Sequence, residues 1–161
     1  MGFFELMLWT FTGLIMGSFI NVCIDRTSLS LAKKETQLKI LKSCYFSTNL
    51  KNYILNNSLS IFEPVRSFCF KCGHKLMWYE IIPIISYFLC KGNCQKCKTT
   101  IGSKIIITEI THGLFYLATG YFLKGVILPL FFCIGFSLLW FLINFVICSR
   151  NLEKIIFNKV I

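Results

Sequence analysis

The chain has 161 residues, of which 55% are hydrophobic, 16% are aromatic and 15% are charged. Soluble domains carry about 25% charged residues. Disordered chains are poor in hydrophobic residues, so this composition excludes a disordered chain. The mean hydropathy of +0.67 also leaves too few polar residues to cover the outside of a water-soluble core. Composition therefore favours an all-α integral membrane protein, and the formal net charge of +10 needs a positional explanation.

Residues 3–24 form the first candidate span, with the sequence FFELMLWTFTGLIMGSFINVCI and a single charge at Glu5. At about 1.5 Å per residue, a helix of this length crosses a hydrocarbon layer of about 30 Å. A cleaved signal peptide is the alternative, but the segment has neither a basic start nor an A-x-A-like cleavage site. We therefore predict transmembrane helix 1 over residues 3–24.

Two more apolar segments lie near the end of the chain. Residues 105–123 are apolar apart from Glu109, His112 and small polar residues, and residues 125–148 carry no charge. The single lysine between the two segments leaves room only for a tight turn, so they should form a helical hairpin. The sequence thus predicts about three transmembrane helices.

The basic residues predict the orientation. Thirteen of the 17 lysines and arginines fall within residues 25–104. By the positive-inside rule this loop is cytoplasmic, the N-terminus lies outside, and the basic tail 149–161 returns to the cytoplasm. The positive charge is then explained by topology and by attraction to anionic membrane lipid.

The loop contains two C-x-x-C motifs, CFKC and CQKC, within a predicted subdomain at residues 66–100. On a reducing side of the membrane such cysteines stay reduced, and four thiolates suit one tetrahedral zinc ion. Four ligands close the coordination sphere, so the zinc would be structural; two disulfides are the alternative. His74 is expected to be a surface residue, and Cys90 is a weaker competing ligand. The predicted ligands are Cys69, Cys72, Cys94 and Cys97.

Other parts of the loop give weaker signals. Residues 28–43 place leucines among lysines, which predicts a basic amphipathic helix, and residues 49–64 are rich in Asn and Ser, which favours an irregular connector. Residues 78–89 are an apolar run interrupted by Pro83, too short to span a membrane. We predict a buried or interfacial helix there.

Small and polar residues mark one face of the first predicted span. Gly13 and Gly17 form a G-x-x-x-G motif, and Asn21 continues the same face. Small residues at this spacing let two helix backbones approach closely, so we predict a helix-packing face.

Glu109 and His112 are three residues apart and share one face of the second predicted span. The spacing matches half of a carboxylate metal site, but no second half is present. Hydrogen bonding from another helix, through Asn21 or Asn144, is the favoured interpretation.

The stretches GSFINVCIDR, CFKCGHKLMWYEIIPIISY and GNCQKC, together with a glutamate early in the next span, resemble the N-terminal half of the prepilin peptidase family. That family shows G-S-F-x-N-V-x-x-x-R, then C-x-x-C-x-x-x-L-x-W-x-E-x-I-P-x-x-S-Y and G-x-C-x-x-C. The resemblance covers most of residues 13–125 and is weaker over residues 27–63. Besides the cysteines, the main motif positions are Gly17, Ser18, Asn21, Arg26, Trp78, Glu80, Pro83 and Glu109.

The resemblance implies a multi-pass protein of the bacterial inner membrane with two activities. One removes the basic leader from type IV prepilins or type II secretion pseudopilins. The other N-methylates the new N-terminus with S-adenosylmethionine, a cofactor implied by the resemblance alone.

The chain departs from the family at its catalytic aspartates. The family places them in I-D-x-x-x-x-x-I-P-D/N and G-x-G-D stretches; neither occurs here, and Asp25 is the single aspartate of the 161 residues. An aspartyl protease needs two carboxylates that share a proton. No catalytic residue is therefore assigned, and we predict a truncated, degenerate or split form whose aspartates lie on a separate polypeptide.

Two interpretations from other classes compete with this one. The first is a non-enzymatic zinc-binding membrane adaptor that docks an acidic partner or lipid through the basic loop. The second, a membrane-tethered nucleic-acid binder, is weaker because the aromatic residues near the cysteines belong to an apolar run rather than to a stacking surface.

Overall fold

A computed structural model describes residues 2–31, 67–69, 72–123 and 125–150. This part of the chain is mostly helical and has no named strand. Most of the predicted amphipathic helix 28–43, the connector 49–64 and nearly all of the tail 149–161 lie outside the described residues. The elements are α1 (Phe3–Ser30), a 3-10 turn (Trp78–Glu80), α2 (Ile85–Leu89), α3 (Lys104–Phe122) and α4 (Ile127–Arg150).

Two of the described helices are long and apolar enough to cross a membrane: Phe3–Ser28 within α1, and α4. Many of their large apolar side chains point outward, including Phe4 on α1 and Phe131 on α4, which are 71% and 72% exposed. Apolar surfaces of this extent need covering by lipid or by protein. α3 does not meet the same test, so the count of three spans stays a prediction.

The G-x-x-x-G face of α1 packs directly on α3, its main partner. A Cβ atom at Gly13 would lie 2.6 Å from the carbonyl oxygen of His112, and one at Gly17 would lie 2.8 Å from Cα of Glu109. Both distances are too short for real atoms, so only glycine allows the two backbones this close. The predicted packing face is confirmed.

Polar side chains fill the interface between the three long helices. His112 is fully buried against the rings of Phe136 and Trp140, and its Nδ1 donates to the carbonyl of Thr108 at 2.8 Å. The Tyr116 hydroxyl lies 2.9 Å from Oγ of Ser137, which joins α3 to α4.

The predicted hydrogen bonds from Asn21 or Asn144 to the Glu109–His112 pair are wrong. The amide of Asn21 donates to the carbonyl of Ile105, one turn before Glu109, and that of Asn144 donates within its own helix to Trp140. Both asparagines thus bind backbone carbonyls, which a side-chain spacing argument does not detect.

The predicted helix over residues 78–89 is confirmed only in part, because the run is broken into the 3-10 turn and the short helix α2. Pro83 has no N–H group to donate and disfavours helical backbone in the residue before it. Ile84, directly after it, has a φ of 62°, which is rare for a β-branched residue. Its N–H group donates to the carboxylate of Glu109 on α3 at 2.7 Å.

Candidate metal centre and adjoining cavity

Each C-x-x-C motif lies in a small loop closed by an antiparallel bridge. The first loop is closed by Phe68 and Lys75, and the second by Asn93 and Thr100. The two bridges occupy the same positions relative to the first cysteine of each motif. The two motifs therefore form a structural repeat as well as a sequence repeat.

The turn after each second cysteine has the same backbone geometry. The N–H groups of Gly73 and Lys98 donate to the carbonyls of Cys69 and Cys94, both at 2.9 Å. Gly73 has a φ of 69° and Lys98 a φ of 55°. This left-handed backbone suits glycine and is strained for lysine.

The two loops bring the four cysteine sulfurs together. All four Sγ atoms lie within 4.8 Å of one another, with Cys69 and Cys97 3.8 Å apart and Cys72 and Cys94 3.9 Å apart. Tetrahedral zinc with Zn–S bonds of about 2.3 Å requires sulfur separations of about 3.8 Å. A disulfide bond is only about 2.05 Å long, so the predicted alternative of two disulfides does not fit this geometry. The cluster has the spacing of a tetrathiolate metal site.

The thiols of the cluster differ in acidity. Burial opposes ionisation of Cys97, but hydrogen bonds from the Thr99 hydroxyl and backbone, then from Cys72 and Cys94, outweigh it and lower the pKa of Cys97 to about 6. Burial raises the pKa of Cys72 above its ordinary value. One thiolate is thus present at neutral pH, which favours capture of a soft cation.

Neither nearby candidate ligand joins the cluster. His74 lies beside Glu80, with Nε2 and Oε2 3.2 Å apart, and Cys90 accepts a long contact of 3.7 Å from the amide of Gln95. Among the described residues, the candidate metal site therefore consists of the four cysteine sulfurs alone.

A cavity of about 230 Å³ lies between the second half of α1, the cysteine loops and the start of α3. Cys69 and Cys94 form part of its wall, so the cavity adjoins the candidate metal centre. Five of the family-motif positions named above line it: Ser18, Asn21, Arg26, Glu80 and Glu109.

The other three motif positions do not line the cavity. Gly17 contacts α3, Pro83 breaks the apolar run, and Trp78 is 75% exposed. Sequence reasoning missed several lining residues that belong to no recognised motif. Only their position next to a cysteine loop in the sequence could have indicated that they line the cavity. They include Ser67, Phe68, Thr99, Thr100 and Ile101.

Two buried carboxylates in the cavity wall are held by backbone N–H groups. Glu80 accepts from Met77 at 2.6 Å, and Glu109 accepts from Ile84 at 2.7 Å. Asp25 lines the same cavity. The fold thus brings three carboxylates from three elements to one cavity, which the sequence did not predict.

Known proteins match most of this chain. The family model for the bacterial peptidase A24 N-terminal domain matches residues 11–123. The prepilin leader peptidase/N-methyltransferase of Vibrio cholerae is 31% identical over 137 residues, which cover 82% of this chain and 46% of the relative.

Two further relatives carry the same name. The protein from Burkholderia pseudomallei strain 1026b is 31% identical over 63% of this chain and 31% of its own length. The protein from Myxococcus xanthus is 31% identical over 66% of this chain and 23% of its own length. The chain spans less than half the length of these three relatives. No solved structure matches it.

Proposed function

Because the chain belongs to the bacterial peptidase A24 N-terminal domain family, we propose that its 161 residues form a zinc-bearing inner-membrane module that works in prepilin or pseudopilin processing. The observation that carries the proposal is the four-cysteine cluster beside a cavity lined by family-motif residues. The module would contribute to the activities for which the relatives are named, which are leader peptidase and N-methyltransferase.

The four cysteines would hold zinc in a structural role. Four protein ligands leave no open position for water or substrate, so the ion would tie the two cysteine loops together. The loops then fix one wall of the cavity against α1 and α3.

Hydrolysis of the leader requires a second source of acid and base. Asp25 is the single aspartate of the 161 residues, and each buried glutamate is already held by a different backbone N–H group. The protease reaction needs two carboxylates sharing one proton. Residues other than these 161, for example on a separate polypeptide, would supply that pair.

S-adenosylmethionine fits the cavity poorly. Sites for drug-sized ligands have volumes of about 300–1,000 Å³, whereas this cavity has about 230 Å³. That volume suits a group the size of one amino-acid residue. No glycine-rich loop for a nucleotide-like cofactor is present in the sequence either.

The basic residues support a membrane orientation for the module. The cysteine loops would face the cytoplasm, where 13 of the 17 basic residues then lie, and the N-terminus would lie outside. Lipid contacts would be made by the outward apolar faces of α1 and α4.

Depletion and add-back test this function. Membranes of the source organism, with this chain depleted, would be assayed for removal of a type IV prepilin leader. We expect cleavage to fall on depletion and to return with the wild-type chain and with Cys90→Ser. Cys97→Ser should restore much less, because it removes one cluster sulfur.

Unchanged cleavage in depleted membranes would contradict the proposal. The adaptor interpretation would then predict a salt-sensitive complex with an acidic partner and no effect on leader removal.

A further inference from the structure

The short helix α2 has its apolar and polar faces reversed relative to a helix on the surface of a soluble protein. Ile85, Phe88 and Leu89 share one face of α2 and are 53%, 69% and 62% exposed. Ser86 and Tyr87, which carry hydroxyl groups, line the cavity instead. A helix that faces water turns its polar side chains outward and its apolar side chains inward. The reversed pattern of α2 therefore suits apolar surroundings.

Hydrogen bonds hold the start of α2 beside the apolar part of α1. The N–H group of Ile84, directly before α2, donates to the Glu109 carboxylate at 2.7 Å. The same carboxylate accepts a hydrogen bond from the Ser18 side chain of α1. An α-helix rises about 1.5 Å per residue, so Ser18 lies about 10 Å deeper along α1 than Asp25, the next charged residue. If α1 crosses the membrane, α2 therefore begins below the level of the first charge.

The start of α3 gives a similar depth. α3 begins at Lys104, whose side chain is exposed, and Glu109 lies five residues further along the helix. This separation corresponds to a rise of about 8 Å. Two helices thus place Ile84 at nearly the same distance inside their charged ends.

The charges at the ends of this segment match a lipid headgroup layer. Residues 81–90 carry no charge, and Lys91, directly after them, is exposed. Lys104, at the start of α3, is exposed as well. Lysines at the cytoplasmic end of an apolar segment are attracted to anionic headgroups, while the apolar residues enter the layer beneath.

The backbone of the segment has the hydrogen bonds that an apolar layer demands. Pro83 interrupts the helix but has no N–H group to satisfy. The N–H group of Ile84 donates to Glu109, and that of Ser86 donates to the carbonyl of Ile82 at 2.9 Å. Irregular backbone occurs at membrane depth where it is buried in protein or lines a cavity. The break beside the cavity meets this condition.

The exposed face of α2 also lies at the level of outward apolar residues of α1. Ile15 and Phe19, close to Ser18 along that helix, are both 47% exposed. Lipid that covers α1 at this level would cover α2 as well.

We propose that residues 81–89 form a re-entrant segment whose Ile85–Phe88–Leu89 face enters the cytoplasmic leaflet and contacts phospholipid acyl chains. The chain enters the leaflet after Glu80 and leaves it on the same side at Lys91. The inference goes beyond the proposed function, because it assigns a membrane contact to the stretch between the two cysteine motifs.

The first test uses the wild-type chain in nanodiscs of phosphatidylethanolamine and phosphatidylglycerol. Hydroxyl-radical footprinting would compare Phe88 on α2 with Phe131 on α4, which are 69% and 72% exposed in the chain itself. The two residues have the same side chain, so a difference in labelling reports their surroundings. Because the bilayer core holds no water, we expect both to be labelled about tenfold more slowly than phenylalanine in an added soluble peptide.

A photoactivatable side chain identifies what covers α2. p-Benzoylphenylalanine would replace Phe88, Phe131 or Gln95, one residue in each variant, and bound zinc would show that each variant is folded. Gln95 is an exposed residue of the second cysteine loop and is the water-facing control. We expect phospholipid adducts from position 88 at a yield close to that from position 131, and few from position 95. If the variant at position 88 does not fold, footprinting of the wild-type chain decides the question.

Rapid labelling of Phe88 while Phe131 stays protected would overturn the inference and leave the proposed function intact. Adducts between two chains at position 88, without lipid adducts, would also overturn it, because a second copy would then cover α2. Rapid labelling of both phenylalanines would refute this inference and the membrane placement in the proposed function together.

Discussion

Replacing Gly17 with alanine should disrupt the packing of α1 on α3. The new Cβ atom would lie 2.8 Å from Cα of Glu109 and 2.9 Å from the carbonyl oxygen of Thr108, while ordinary contacts begin at 3.4 Å. Both neighbours are backbone atoms, so α3 itself must move by roughly half an ångström. Overpacking of this kind costs about 1–3 kcal/mol. The greater helix propensity of alanine offsets about 0.5–1 kcal/mol, which leaves a net loss of about 0.5–2 kcal/mol.

Two other glycines provide graded controls. A Cβ atom at Gly113 would meet the end of the flexible Leu14 side chain at 2.7 Å, so Gly113→Ala should cost less than Gly17→Ala. A Cβ atom at Gly135 would have no neighbour within 4 Å in the described part of the chain, so Gly135→Ala should be neutral or stabilising by up to about 1 kcal/mol. Denaturant titration in mixed detergent micelles, followed by tryptophan fluorescence, gives the free energy of unfolding of each variant.

The order of the three variants is the critical result. If Gly17→Ala proves as stable as Gly135→Ala, then α1 and α3 do not approach as closely as described. The cavity between them would lose one of its walls as well.

Three further predictions concern the cysteine loops. Cys97→Ser should lower bound zinc well below one ion per chain while Cys90→Ser keeps it, as measured by elemental analysis; equal zinc content in the two variants would exclude the four-sulfur site. Gly73 and Lys98 both have left-handed backbone, which glycine adopts without strain. Gly73→Ala should therefore destabilise the metal-bound fold by about 1 kcal/mol or more, whereas Lys98→Gly should be neutral or stabilising. Thermal unfolding that shows the reverse order would contradict this geometry. In the metal-free protein at pH 7, iodoacetamide should modify Cys97 faster than Cys72, since the pKa of Cys97 is about 6 and that of Cys72 is raised. Below pH 6 the Cys97 thiolate is lost, so the rate of Cys97 modification should fall. Peptide mapping that finds equal rates for the two cysteines would refute the lowered pKa of Cys97.

Local patterns in the sequence were enough to predict the cysteine cluster and the packing face. Each C-x-x-C motif fixes its own loop, so the cluster needs only that the two loops meet. The helical period places Gly13 and Gly17 on one face, and small residues at this spacing indicate close packing of two helices. These features depend on residues close together in the chain.

Features that depend on distant partners were not predicted. The positive φ of Ile84 is stabilised by a carboxylate 25 residues later in the chain, at Glu109. His112 was expected to bond to another helix, but its Nδ1 bonds to the Thr108 carbonyl one turn earlier. The shared cavity of Asp25, Glu80 and Glu109 likewise results from the packing of three elements, which no single motif records.

Leader removal by the purified chain alone, reconstituted in liposomes with a type IV prepilin, tests the central claim most directly. We predict no cleavage, because one aspartate cannot form the acid pair and Glu80 and Glu109 are held by separate backbone N–H groups. Cleavage by the chain alone that is lost in Asp25→Asn would contradict this claim, since it would place the catalytic carboxylates within these 161 residues.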